Sequence, residues 1–290
     1  MSLLDRVREC ARFQPGRYLP FRVDGVRLGR IERGIAGRFG RFKDVFRVTN
    51  DAVDLAPGLS GFDDRTRAVA GALVSLRDEG LISGWRDEAY PVAAAFSSPP
   101  LFVVERAAVP LLGVKGYGVH VNGYVVDGGT VKLWVGRRSL SKPTGPGKLD
   151  QVVAGGQPAG ISIADNLIKE CAEEAAIPEA IAATAVPVGT VSYLTERPEG
   201  LRDDVLFDYD LELPPDFQPV NADGEVAAFY LWPIEQVIET LEGSDEFKFN
   251  SGLVVIDFLV RRGFIGPDRP DYVDIVEGLH IREAVAAGDW

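Results

Sequence analysis

Apolar and polar positions alternate most regularly in the second half of the chain. "GVHVNGYVV", then Asp127-Gly128-Gly129, then "TVKLWVGRR" predicts two strands joined by a tight turn. "VPVGTVSYLTE" and "DVLFDYDLEL" are two more β-type runs. "AFYLWPIEQVIETL" predicts a strand that breaks at Pro233 into a helix, and "SGLVVIDFLVRRG" an apolar helix ending at Gly263. Upstream, "FRVDGVRLGRI" predicts a strand or hairpin around Asp24-Gly25. "DDRTRAVAGALVSLRDEG" carries Ala68, Leu73 and Leu76 at helical spacing and predicts a helix ending on Gly80. The proline-rich "SSPPLFVVERAAVPLLG" reads as a connection between units. Strands interleaved with three helices predict an α-β-α sandwich, a mixed sheet between helical layers, over residues 111–265. A smaller α+β unit is expected at residues 1–110 and an extension at 266–290.

Composition narrows the function classes. The 290 residues fit two modest domains better than one. No apolar run approaches the length that spans a bilayer, and "MSLLDRVRECARF" lacks the apolar stretch of a secretory signal. Cys10 and Cys171, the two cysteines, lie far apart with no metal or redox spacing, and a reducing cytoplasm is the expected setting. The net charge of −12 argues against duplex nucleic acid as a partner. A small anionic substrate remains open, because local bases or a bound divalent cation reverse the sign of a pocket.

One segment stands apart: "AGGQPAGISIADNLIKECAEEAAIPEA", residues 154–180. Ser162 suits an N-cap, with Asp165 three residues on, and the helix is expected over residues 163–177, ended with the help of Pro178. Glu170, Glu173 and Glu174 stand at i, i+3 and i+4 on one face; Ile163, Leu167 and Cys171 form another. Each like-charge neighbour costs roughly 0.2–0.5 kcal/mol, and the acids lie where the helix dipole disfavours them. A solvated acidic face is the plain alternative. The preceding loop favours a cation: Gly155, Gly156 and Gly160 allow close backbone approach, and Gly155 can offer a backbone oxygen. Mg²⁺ takes such oxygens and bridges to substrate phosphates.

These residues resemble the signature of the Nudix hydrolases: a Gly, five residues, a Glu, seven residues, then Arg-Glu, an apolar residue, any residue, Glu-Glu, any residue, Gly and an apolar residue. Gly155 takes the first place, and residues 169–177, "KECAEEAAI", fill the second half. Ile161, Lys169 and Ala176 stand where the signature has Glu, Arg and Gly. The resemblance implies Mg²⁺ or Mn²⁺ held by Glu170, Glu173 and Glu174, and cleavage of a diphosphate joined to another moiety. "RRSLSKPTGPGKLDQVVAGGQPAGIS", "GTVSY", "GLRDDVLFDYDLELP", "DGEVAAFYLWPIEQV" and "FKFNSGLVVIDFLVRRG" look like the subfamily associated with thiamine pyrophosphokinase. There the Ile161 and Lys169 departures look normal, and an extra N-terminal domain resembles "RTRAVAGALVSLRDEGLISGWRDEAYPV". Thiamine diphosphate and its oxidised forms are the implied substrates.

Further candidates follow. Glu225 lies where many Nudix enzymes place another acid, which adds it to Glu170 and Glu174 as a catalytic group; a loop carboxylate beside Asp223 is the other reading. Arg137, Arg138, Lys142 and Lys148 cluster before the glycine loop; Arg138, Lys142 and Lys148 are expected to hold phosphates, with Arg202 a similar candidate. Arg137 and Arg138 should point to opposite faces. His120 reads as structural and His280 as a surface residue; Trp85, Trp134, Trp232 and Tyr193 are aromatic candidates for stacking. The expected enzyme is a metal-dependent hydrolase of a small organic diphosphate, with neither nucleic acid nor membrane as partner. A diphosphate-binding sensor module on the same fold is the alternative.

Overall fold

The structure, a computed structural model, describes residues 1–280. The chain opens with helix α1 (Leu3–Glu9) and a 3-10 turn, Pro15–Arg17. Then come β1 (Tyr18–Val23), β2 (Val26–Glu32), α2 (Arg33–Phe39), β3 (Phe46–Val48), β4 (Val53–Leu55), α3 (Phe62–Asp78), β5 (Ala89–Val92), β6 (Phe102–Glu105) and α4 (Val109–Leu112). Strands β1 to β4 form a four-stranded sheet in the order β2-β1-β4-β3, and β5 pairs with β6. Asp24 and Gly25, both at positive φ, make the tight β1–β2 hairpin the sequence predicts. α3 ends with Gly80 in the left-handed region.

The "SSPPLF" segment is more than a connection. Phe102, Val104, Ala108, Val109, Leu111, Leu112 and Val114 are buried in one core with Phe21, Phe39, Phe46 and Leu73. The continuous apolar run 101–104 after the prolines forms strand β6, which buries Phe102 and Val104 in the core of the smaller body.

The larger body contains β7 (Lys115–Asp127), β8 (Thr130–Arg138), β9 (Leu149–Asp150), β10 (Val153–Gly156), α5 (Ile163–Ala175), α6 (Glu179–Ala182), β11 (Val186–Arg197), β12 (Gly200–Glu212), β13 (Val226–Pro233), α7 (Ile234–Gly243), α8 (Phe249–Arg261) and α9 (Tyr272–Gly278). Its sheet runs β11-β12-β7-β8-β13, with β10 added to β7 and β9 to β8. β12 and β7 are parallel and the other pairs antiparallel. On one face α5 and α6 bury Leu167, Cys171 and Ala182 against Val121, Val153 and Leu211. On the other, α7 and α8 bury Val237, Leu241, Leu253 and Phe258 against Leu133, Val135 and Leu206. This is the predicted α-β-α sandwich.

α1 departs from the expected division at residue 110. Leu3, Val7 and Cys10 lie in the core of α8 and α9, with Leu253, Ile275 and Leu279. Arg6 clasps the end of α7 through the Leu241 and Ser244 carbonyls. A seven-residue amphipathic helix cannot show from sequence alone which apolar surface it covers. Within the C-terminal extension, α9 packs against α1, where Gly278 meets Val7; residues 281–290 lie outside the described residues.

β7 decides where the site forms. Its first half pairs with β10, from Gly118 to Val121, and its second half with β8, from Tyr124 to Asp127. The loop 139–148 joins the end of β8 to β9.

Candidate active site

α5 is set by its caps. The Ser162 side chain accepts from the Asp165 backbone N–H. The C-cap, Ala176, is left-handed at φ 51°, where the helix needs a residue most easily supplied by glycine. The helix therefore ends at Ala175, before the proline, slightly earlier than expected. Leu167 and Cys171 are buried as predicted; Ile163 is half-buried.

The three glutamates do not gather at one point. Glu173 and Glu174, adjacent on a helix, point about 100° apart. Glu170 and Glu174 turn inward, at 9% and 4% exposure, while Glu173 stays in solvent, 2.7 Å from the Lys169 ammonium. Among the described residues, no group of three His, Cys, Asp or Glu side chains forms a preformed metal cage. Glu174 Oε2 accepts from the Ala154 N–H at 2.8 Å, fastening the helix to β10. Burial pushes the Glu174 carboxyl well up, with neighbouring Glu170 adding to the effect, and burial likewise raises Glu170.

The two adjacent glycines of β10 serve opposite faces of the strand. A Cβ on Gly155 would overlap the Glu170 carboxyl group; a Cβ on Gly156 would overlap the Tyr90 hydroxyl. The Gly155 carbonyl faces β7, 2.9 Å from where a Cβ of Gly118 would stand. Gly155, expected in a loop, lies in a paired strand. What Gly155 contributes is the space its missing side chain leaves for Glu170.

Beside β10 opens a cavity of about 550 Å³, lined by both bodies. Eight cationic side chains line it: Arg86, Arg106, Arg138, Lys142, Lys148, Arg197, Arg202 and Lys248. In a chain of net charge −12 this is a local concentration of positive charge, and each of the eight is ion-paired with a carboxylate. Glu199 and Asp204 line it too, with aromatic walls from Tyr90, Tyr117, Tyr193 and Phe249.

The expected phosphate holders divide. Lys142 is ion-paired with Glu225, which also lies 3.5 Å from Arg86; burial lowers the Lys142 pKa, and the Glu174 charge opposes that shift. Arg138 is a buried strut: it pairs with Asp150 at 2.7 Å and donates to the Thr144 and Gly145 carbonyls. Its donors hold the loop. Lys148 reaches outward to Asp245 at 3.0 Å. Arg202 bonds Glu199 at 3.1 Å and lies 3.8 Å from Asp204. Arg137 leaves on the opposite face, to Glu246.

His120 is fully enclosed, with Nδ1 2.7 Å from Gln151 Oε1, and burial depresses its pKa to about 4; the structural reading stands. His280 is exposed. Of the aromatic candidates, Tyr193 alone lines the cavity, its hydroxyl donating to Asp204 at 2.6 Å. Trp134 is core, Trp232 stacks on Tyr230 and Trp85 lies under Arg77.

Sequence reasoning missed Arg86, Tyr90, Arg106 and Lys248. The doubled glycine was the available signal, since two adjacent glycines in one strand call for a close neighbour on each face.

A family model described as a domain of unknown function (DUF4743) matches residues 2–116, the smaller body together with α1. Nudix hydrolase 20, chloroplastic, of Arabidopsis thaliana is 46% identical over 97% of this chain and 78% of that protein. Nudix hydrolase 24, chloroplastic, of the same plant is 45% identical over 96% and 77%. The chain belongs to the Nudix hydrolases. The enzyme class expected from the sequence, a hydrolase of phosphorus anhydrides, stands with the family. An uncharacterized protein of Saccharomyces cerevisiae is 32% identical over 97% of this Nudix hydrolase and 90% of its own length. The Nudix domain of Shewanella oneidensis NrtR complexed with ADP ribose covers 51% of this chain and 88% of its own at 15% identity and a TM-score of 0.41; likeness at that level leaves the substrate open. The expected cytoplasmic setting is corrected, since both plant relatives are chloroplastic by name. Among the described residues no helix is long and apolar enough to cross a membrane.

The family works with a divalent cation, and the residues present fit one. Glu170 and Glu174 are two buried hard oxygen donors, whose charge burial opposes. A cation in place of a proton removes that penalty.

Proposed function

We propose that this Nudix hydrolase cleaves the diphosphate of a small organic diphosphate whose other end is a cationic heteroaromatic group. Thiamine diphosphate or an oxidised analogue is the best candidate, and the products are the monophosphate and phosphate. The observation that carries the reading is the cavity: eight cationic side chains and four aromatic walls, beside the buried Glu170 and Glu174. The cationic side takes the diphosphate. The aromatic walls, with Glu199 and Asp204, suit a positive ring. The narrower choice of thiamine compounds rests on resemblance to the thiamine pyrophosphokinase-associated subfamily.

Glu170 and Glu174 would hold Mg²⁺ or Mn²⁺, with Glu173 swinging in from the rim as Lys169 releases it. The ion supplies charge neutralisation of the phosphate oxygens and a more acidic water. Lys142, Arg86 and Arg202 orient the diphosphate. Glu225, which pairs with Lys142 and lies 3.5 Å from Arg86, would accept the proton of the attacking water. The smaller body, residues 15–114, acts as a pocket wall.

Steady-state kinetics with Mg²⁺ on thiamine diphosphate, an oxidised analogue, ADP-ribose and a nucleoside triphosphate test this reading. The specificity constant is expected to be highest for a thiamine compound. A far higher value for ADP-ribose or the triphosphate overturns the substrate; phosphate release from none of them favours the sensor module.

A further inference from the structure

The face of β10 turned away from Glu170 is covered by the smaller body. Tyr90, on β5, puts its hydroxyl against Gly156, and Arg106, on the 3-10 turn after β6, brings its guanidinium to the same point, 3.4 Å from where a Cβ of Gly156 would stand. Arg106 lies 5.7 Å from the Tyr90 ring. Both side chains line the cavity.

The Tyr90 hydroxyl is buried and has no hydrogen-bond partner among the described residues; the residue is 6% exposed. Burial raises its pKa, so it stays a neutral O–H donor. A phenylalanine would pack there without stranding a polar atom, and an unmet buried hydroxyl is costly. Nor is the position one of mere crowding, because residue 156 is a glycine that leaves the hydroxyl its space. Arg106 has Glu88 as its one hydrogen-bond partner among the described residues, at 2.9 Å through Nη1. The rest of its planar fork suits a phosphoryl oxygen. Arg106 is close enough to Glu170 for each to influence the other's charge.

We propose that the Tyr90 hydroxyl and the Arg106 guanidinium bind a phosphoryl oxygen of the diphosphate, so that the smaller body supplies substrate-binding residues to the hydrolase site. The inference rests on the reading of the cavity as a diphosphate site, and it assigns the body matched by the domain of unknown function a direct role in binding. The larger body alone then holds an incomplete pocket.

The test is binding and needs no turnover. Inorganic pyrophosphate is titrated calorimetrically into the full chain with Mg²⁺, for wild type, Tyr90→Phe and Arg106→Lys, and thermal unfolding of each is followed without ligand. Tyr90→Phe is expected to weaken pyrophosphate about 10-fold or more, the usual effect of one lost hydrogen bond to a charged group. The free variant should melt at or above wild type, because its only lost group is one without a partner. Arg106→Lys is expected to weaken binding in the same direction, having lost the fork. A Tyr90→Phe affinity within about twofold of wild type, or no binding of pyrophosphate by wild type, overturns the proposal. So does a lower melting point with unchanged affinity, which marks the hydroxyl as structural. Failure of the substrate reading shows separately, in wild-type turnover.

Discussion

Glu170 and Glu174 are ordinary residues of a solvated helix until β10 covers them. Their burial against Gly155 makes their charge a local problem, which a bound cation resolves. Glu170→Gln and Glu174→Gln keep size and shape and remove that charge. Each is expected to lower kcat/KM at least about 100-fold with unchanged or higher melting temperature in metal-free buffer; near-normal turnover in both would remove them from the site. His120 makes a different residue-scale prediction. Burial depresses its folded pKa from 6.5 to about 4, so between these values the unfolded chain binds more protons than the native one. Its contribution is complete above about pH 6.5 and is lost as the pH falls toward 4, a difference of ~3 kcal/mol. Denaturant unfolding at pH 7.5 and pH 4 should show wild type losing about that much more than His120→Gln; parallel losses would contradict the assignment.

At the scale of elements, α5 carries a flaw at its end. Ala176 adopts the left-handed conformation where its Cβ is unfavourable. Its side chain is exposed, so nothing in the core depends on it. Ala176→Gly is expected to raise stability by about 0.5–1 kcal/mol with activity unchanged, measured by denaturant midpoint at constant slope. The opposite experiment lies on β10. Gly156→Ala drives a methyl into the Tyr90 hydroxyl, and overpacking of this kind costs about 1–3 kcal/mol. Thermal unfolding should show the loss, and combination with Tyr90→Phe should recover part of it. Most elements were legible in the sequence because each needs only local information: the Asp24-Gly25 hairpin, the Asp127 to Gly129 turn, the Ser162 cap, the break at Pro233. β10 was not. Four residues with two glycines read as a loop, and only the pairing partner on β7 makes them a strand.

At the scale of the whole molecule, α1 crosses the boundary between the two bodies. Leu3 and Val7 are fully buried against α8 and α9, which stabilises the larger body by about 3–6 kcal/mol at roughly 1.5–3 kcal/mol per side chain. Deleting residues 1–14 from the full chain is expected to lower stability by that order and to expose apolar surface to a hydrophobic dye, although no cavity residue is removed. An unchanged melting temperature would show α1 to be dispensable. The cavity is likewise a property of both bodies, since Arg86, Tyr90 and Arg106 come from one and Lys142, Arg202 and Lys248 from the other.

The sequence by itself determined the α-β-α architecture, the place of the glutamate helix and the family, because periodicity, caps and a signature of fixed spacing are local properties of the chain. It also marked Lys142 and Arg202, which line the cavity, and Glu225, which pairs with Lys142. Only the tertiary structure decided that Arg138 is a strut, that Glu173 faces solvent, that the Gly155 carbonyl turns to β7, and that Tyr90 and Arg106 close the pocket. Those outcomes depend on which side of a strand or helix faces which neighbour. Tyr90 and Arg106 meet Gly156 across 66 and 50 positions of chain, and no regular spacing records such a meeting.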